Sequence, residues 1–196
     1  MGLFLVSYLL IFLGFAMALP SYRVWKTTGI NPYKLGGSES AHDYIGLLFR
    51  LTLIAAGIVA SVYAFLPNLS PYLVPIPYLV NAVLTTSGVV LLVASLIWVL
   101  VAQIHMQKSW RIGIDEDVKT ELVQTGLFKI SRNPIFLGMR VMLLGLFFTL
   151  PSAASLAALV SGDLLIQIQV RLEEEFLARV HGENYIAYKS TVRRWL

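Results

Sequence analysis

The chain has 196 residues, of which 57% are hydrophobic and 13% charged, with a formal net charge of +4. Its mean hydropathy of +0.74 is far above that of a soluble domain, and spans of about 20 apolar residues each consume most of the length, so no separate soluble domain fits. The absence of cysteine excludes disulfides, thiolate catalysis and cysteine-ligated metals, and the scattered His42, His105 and His181 make no metal-ligand spacing.

Five apolar runs follow one another. Residues 2–19 carry no charge; the basic region of a signal peptide is missing, so this run is read as a span. The next three cover residues 44–66, 77–101 and 135–150. The fifth, 153–170, is the most polar. None alternates with the period of a barrel strand, so all are expected to be helices. The expected fold is therefore all-α: a polytopic membrane protein forming a single domain over residues 1–196, with five transmembrane helices.

Basic residues fix the expected orientation. Arg23, Lys26 and Lys34 lie in the first gap, and Lys108, Arg111, Lys119, Lys129 and Arg132 in the third. Arg171, Arg179, Lys189, Arg193 and Arg194 lie in the tail, while the second and fourth gaps hold none. Positive residues stay cytoplasmic. The N-terminus is then outside, the C-terminus cytoplasmic, and the modest net charge is topological bias and attraction to anionic lipid rather than nucleic-acid binding. The last two spans form a hairpin turning at Pro151 and Ser152. The long polar stretches 103–134 and 171–196 are expected to fold together over its cytoplasmic mouth.

Charges inside spans cost on the order of 2.5–3.5 kcal/mol each. Arg50 lies near the cytoplasmic end of its span, within reach of the surface by snorkelling. Arg140 lies eleven residues before Pro151 and Asp163 twelve after it, which gives them nearly equal depth in a tight hairpin. An Arg140–Asp163 pair is expected, either as glue between two helices or as part of a polar cavity. Asp163, Gln167 and Arg171 share one helix face at i, i+4, i+8 spacing.

Asn133-Pro134 reads as N-cap and first residue of the fourth span. The same helix start offers N–H groups and a positive dipole end to a ligand carboxylate or ring nitrogen. Phe128 and Phe136 flank it as possible stacking faces. Glu173-Glu174-Glu175 follows the fifth span; such a run is either a solvated face near a helix start or a site for a cationic group. Gly182 is expected to end a short helix, with Tyr185 and Tyr188 packing rather than reacting.

Thr120–Gly138, then Glu173-Glu174, then Gly182-Glu-Asn-Tyr-Ile-Ala-Tyr188, in that order and spacing, resemble the isoprenylcysteine carboxyl methyltransferase family and the related phospholipid N-methyltransferases. The likeness covers roughly the C-terminal half. It implies S-adenosylmethionine as methyl donor, bound within 103–196 at the cytoplasmic membrane face. Carried over by position, the donor touches Thr120, Glu121, Leu122, Val123, Phe128, Asn133, Pro134, Ile135 and Phe136, and Glu173 holds its amino group. Three departures stand out. The family's histidine is Asn133, which hydrogen-bonds but cannot titrate. Two tyrosines are Phe128 and Phe136, and a substrate-contacting arginine is Gln169. Arg140, Arg171 and Glu174 are the candidate catalytic residues, with Arg50 a further candidate for the missing charge.

The resemblance implies a membrane methyltransferase acting on a lipid-like or small hydrophobic acceptor, a carboxylate, amine or thiol. A carboxylate needs no general base; an amine must lose a proton, and the only candidate is His105 at the end of the third span, whose alternative reading is a satisfied interfacial histidine. The alternative is a non-catalytic membrane binding subunit that keeps the fold.

Overall fold

The computed structural model describes residues 1–33, 40–112 and 121–196. Lys34, Lys119 and the expected donor contact Thr120 lie outside the described residues. Helices α1 (Gly2–Leu13) and α2 (Leu19–Thr28) join through a π-helical turn at Gly14–Ala18 into one continuous helix. The sequence explains the turn. Pro20 has no N–H for the carbonyl of Ala16. The side-chain amide of buried Gln103 donates to that carbonyl instead. Gly29, at φ 71°, then stops α2 in the left-handed conformation.

Helix α3 (Ala41–Phe65) starts at Ser40, whose side chain accepts from the Asp43 N–H. Helix α4 (Ala82–Met106) starts at Asn81, which accepts from the Leu84 N–H. The expected third span is thus displaced: residues 77–79 form a 3₁₀ turn, and the helix runs to 106 rather than 101. Pro77 opens the 3₁₀ turn, and Asn81 supplies the cap that hydropathy alone does not show. Helix α5 (Pro134–Thr149) and α6 (Ala153–His181) form the hairpin. Ser152 and Ser155 close a reciprocal capping box at its turn, both fully buried. Helix α7 (Glu183–Thr191) follows Gly182.

Two expectations change at α6. The fifth helix does not stop at 170 but continues to His181, 29 residues in all and about 43 Å long. Glu173–Glu175 therefore lie well inside a helix and not near a helix start. Leu172, Phe176 and Leu177, all half-buried, extend the apolar stripe beyond the acids.

Among the described residues, four continuous helices are long and apolar enough to cross a membrane: Gly2–Thr28, Ala41–Phe65, Ala82–Met106 and Ala153–His181. Helix α5 is also apolar but has 16 residues, about 24 Å. The protein is an all-helical integral membrane protein, and no strand occurs among the described residues. Helices α4 and α5 meet backbone to backbone through glycine. A Cβ on Gly145 would lie 3.0 Å from the Gly88 carbonyl oxygen, and one on Gly88 would lie 2.8 Å from the Thr149 nitrogen. Small residues permit this approach, which replaces the hydrophobic drive that lipid tails do not supply.

Candidate active site

At the end of the bundle where α2 stops and α3, α5 and α7 start, a cavity of about 400 Å³ opens between the helices. Its walls come from distant parts of the chain. Met17, Phe49, Met139 and Ile166 are among its apolar lining residues, and Trp110, Glu121 and Tyr188 also line it. Glu121, Leu122 and Val123 line it, as do Phe128, Asn133, Pro134, Ile135, Phe136 and Glu173. These are all the described residues for which the resemblance implies donor contact.

Phe128 is set by a local device. It lies in a 3₁₀ turn at Gly126–Lys129, and its carbonyl accepts the Tyr188 hydroxyl at 2.6 Å. Burial pushes the Tyr188 hydroxyl up to about 12, so it stays protonated and keeps donating near neutral pH. Gly126 has φ 59°, and a Cβ there would lie 2.4 Å from the His105 ring. His105 Nδ1 accepts the Leu127 N–H at 3.3 Å. His105 thus supports this turn and is not among the cavity-lining residues.

Asn133 occupies the N-cap position of α5, but its side chain makes no capping bond. Its amide nitrogen instead donates to Glu174 Oε1 at 3.1 Å. The first turn of α5 is left without a side-chain cap at the cavity wall, with Pro134 at N1. N–H groups at such a helix start suit a carboxylate or a ring nitrogen.

Neighbouring residues on a helix project about 100° apart, and this separates the two acids. Glu173 faces the cavity, where Oε1 accepts from Gln169 Nε2 at 3.3 Å. Gln169 Nε2 also lies 2.8 Å from His42 Nδ1, and its buried Oε1 has no hydrogen-bond partner among the described residues. Glu174 turns away into a clamp and is 4% exposed. Arg132 Nη2 meets its Oε1 at 3.0 Å and Arg194 Nη2 its Oε2 at 2.8 Å. The bonds to Glu174 hold the Arg194 guanidinium above its ordinary range. Arg132 also donates to the Val192 carbonyl at 2.5 Å, and its own N–H bonds the Arg193 carbonyl. The clamp ties the start of α5, the body of α6 and the C-terminal strand-like tail into one unit.

None of the three candidate catalytic residues lines the cavity. Glu174 is consumed by the clamp. Arg171 is exposed and donates to the Gln167 carbonyl of its own helix at 2.6 Å. Arg140 pairs with Asp163 at 2.5 Å, the contact expected from their equal distance to Pro151. Its guanidinium also lies 4.5 Å from the Trp195 ring centroid. Asp163 in turn accepts from Gln167 at 2.9 Å. This network fastens the hairpin and the C-terminal tail on a face outside the cavity.

Arg50, His42 and Tyr33 were less visible in the sequence. Arg50 and Tyr33 line the cavity, and His42 contacts its Gln169 wall. A signal existed: His42, Gly46, Arg50 at i, i+4, i+8, with Ile45, Phe49 and Leu53 beside them, form one inward stripe of α3.

The model of a family described as phospholipid methyltransferase matches residues 80–184. No curated protein matches the chain. The matched stretch exceeds half of the 196 residues and runs from the start of α4, through Asn133-Pro134 and Glu173-Glu174, into α7. The chain belongs to the phospholipid methyltransferase family, and with its apolar spanning helices it is a membrane methyltransferase.

Proposed function

We propose that the chain transfers a methyl group from S-adenosylmethionine to a lipid-like acceptor, in a cavity open to the cytoplasmic side of the membrane. The observation that carries this reading is the convergence of Glu173, the uncapped start of α5 and two phenyl rings on one cavity. The parts fit the donor's chemistry. The Glu173 carboxylate suits an ammonium. The N–H groups at Ile135 and Phe136 suit a carboxylate at a helix N-terminus. Phe128 and Phe136 offer faces to an adenine ring, and a sulfonium is favoured near aromatic rings. Gln169 Oε1, buried and without a partner among the described residues, is a further acceptor at the wall.

S-adenosylmethionine supplies an electrophilic methyl: the C–S bond breaks, sulfur keeps the electron pair, and a lone pair of the acceptor forms the new bond. The chain itself aligns acceptor, methyl and sulfur, and the apolar lining residues exclude water. Such positioning accounts for most of the expected rate enhancement. A carboxylate acceptor enters already ionised. An amine must first lose its proton, and His42, in contact with the cavity-lining Gln169, is the histidine that meets the wall.

The same reading places five spans in the membrane, α5 included, with the N-terminus outside. It rests on the basic residues. Arg23, Lys26, Lys129, Arg132 and Arg194 lie at or near the end of the molecule where the cavity opens, whereas the turns 67–76 and 151–152 have none. Helix α5 is short for a hydrocarbon layer of about 30 Å, and its packing against α4 and α6 supports its place in the bundle.

Calorimetry with S-adenosylmethionine in neutral detergent tests the donor site. The wild-type protein is expected to bind, and Glu173→Ala to lose binding while unfolding at an unchanged temperature. Pure, folded wild-type protein that fails to bind the donor would overturn the reading and favour a non-catalytic subunit.

A further inference from the structure

An arginine within a spanning helix is costly unless something balances it. Arg50 in α3 and Arg140 in α5 are balanced differently. Arg140 pairs with Asp163. Arg50 lies nine residues into α3, half-buried, and among the described residues no carboxylate pairs with it. Its side chain folds back toward the start of its helix, with Nε donating to the Gly46 carbonyl at 3.4 Å. Nη1 donates to the Tyr33 hydroxyl at 2.5 Å, and the guanidinium lies 5.9 Å from the Tyr33 ring centroid.

Arg50, Tyr33 and Gly46 all line the cavity. A guanidinium carries five N–H donors, and these two bonds leave most of the fork available. The Tyr33 oxygen accepts from Arg50 and keeps its own proton to donate. Along the same stripe His42, two helical turns away, marks the level of Gln169 and Glu173, on the order of 12 Å from Arg50 along the axis. Arg111, Glu121 and Arg132 also line the cavity, and Arg132 is held by Glu174; the Glu173 carboxyl and the Arg50 guanidinium mark two separate poles of the wall. Leu13, Met17 and Leu53, from α1, the π turn and α3, line the same cavity.

We propose that Arg50 and Tyr33 form the acceptor subsite, which holds an oxyanion of an amphiphile while its hydrocarbon chain lies along Leu13, Met17 and Leu53. The inference rests on the methyl-transfer reading of the cavity and adds the acceptor's charge to it. A planar fork beside a phenol matches a two-oxygen edge, as presented by a carboxylate or a phosphate ester. A quaternary or primary ammonium without an adjacent oxyanion finds no partner at this pole.

The test uses full-length protein in neutral-detergent micelles, with dodecanoate, dodecyl phosphate and dodecanol as probes. Binding is followed by tryptophan fluorescence, since Trp110 lines the cavity. Equal micelle concentration makes each probe's partitioning the same for every variant, and probes are compared by their measured mole fractions in the micelle. Both oxyanions are expected to bind wild-type protein about tenfold more tightly than the alcohol, the size of one charge-assisted bond. Arg50→Gln should remove that preference without abolishing donor binding. Arg50→Lys should keep part of it, and Tyr33→Phe should weaken it. A phosphate preference over carboxylate assigns a phospholipid headgroup to the pole, and the reverse assigns a free acid.

No preference in wild-type protein, or one that survives in Arg50→Gln, would overturn the inference. Should Arg50→Gln not fold, Arg50→Lys and Tyr33→Phe decide the matter, and unchanged preference in both also overturns it. Donor binding by the same preparations is read separately, so loss of the methyltransferase reading and loss of the acceptor subsite give different results.

Discussion

The clamp around Glu174 makes a quantitative prediction. Glu174 Oε1 accepts from Arg132 Nε and Nη2, from Asn133 Nδ2 and from Arg194 Nε, and Oε2 accepts from Arg194 Nη2. Glu174→Ala removes every one of these. The Arg132 side chain is 7% exposed and is left without its carboxylate. Breaking a buried pair in this way costs about 3–5 kcal/mol, most of it the penalty of the stranded charge. Arg194 is 30% exposed, and Arg194→Ala leaves Glu174 its bonds from Arg132 and Asn133, so the pair itself accounts for only about 1 kcal/mol or less. At about 2–4 °C per kcal/mol for a chain of this length, Glu174→Ala lowers the unfolding temperature by roughly 6–20 °C. Arg194→Ala lowers it by a few degrees. The measurement is thermal unfolding in neutral detergent at a fixed scan rate. The control is Arg132→Met with Glu174→Leu, which removes both charges and should be milder than Glu174→Ala alone. If Glu174→Ala shifts no more than Arg194→Ala, or the double replacement is no milder, the stranded-charge account is refuted.

Other parts of the fold give smaller tests. Arg140→Leu and Asp163→Leu are each expected to destabilise, and the double variant to recover part of the loss; strictly additive effects measured by detergent-based unfolding would deny the pair. Gln103→Leu strands the Ala16 carbonyl that Pro20 cannot satisfy, at a cost of about 1–3 kcal/mol in the same assay. Pro20→Ala should offset some of that loss by restoring an N–H. For orientation, cysteine placed at Asn68 is expected to react with an impermeant maleimide from outside intact cells, and cysteine at Lys129 only after permeabilisation. The reverse pattern would invert the topology.

The features legible in the sequence were those set by local chemistry or by a tight turn. The Arg140–Asp163 pair could be read because a two-residue turn at Pro151 and Ser152 equates depth with sequence distance. The start of α5 could be read because Pro134 has no N–H to lose and follows Asn133. What Asn133 does could not. Its amide is claimed by Glu174, forty-one residues on, and nothing local announces a carboxylate that also holds two arginines. The start of α4 was missed because hydropathy counts Pro77 and Leu79 as span, although a 3₁₀ turn and the Asn81 cap divide them from the helix. The acids at 173–175 were read as a boundary because charge suggested an end. The helix continues because glutamate is a good helix former and the apolar stripe persists on both sides.

The division of the cavity wall follows the division of the chain. Glu121, Phe128, the start of α5 and Glu173 all lie inside the stretch that matches the family, residues 80–184. Leu13, Met17, Gly46, Arg50 and Leu53 lie outside it. A methyl donor presents the same ammonium, carboxylate and adenine to any enzyme that uses it, so the groups facing it answer to a fixed chemistry. An acceptor differs in charge and chain shape, and the wall that meets it answers to that acceptor alone. On the proposed reading, selectivity is then a property of α1 and α3, set against a donor site built from α5 and α6. Changes in the first pair should alter which amphiphile binds and leave donor affinity nearly untouched, whereas Glu173 should do the opposite. Coupling between the two sets would mean that the poles of the cavity are not independent, and would count against a fixed donor site.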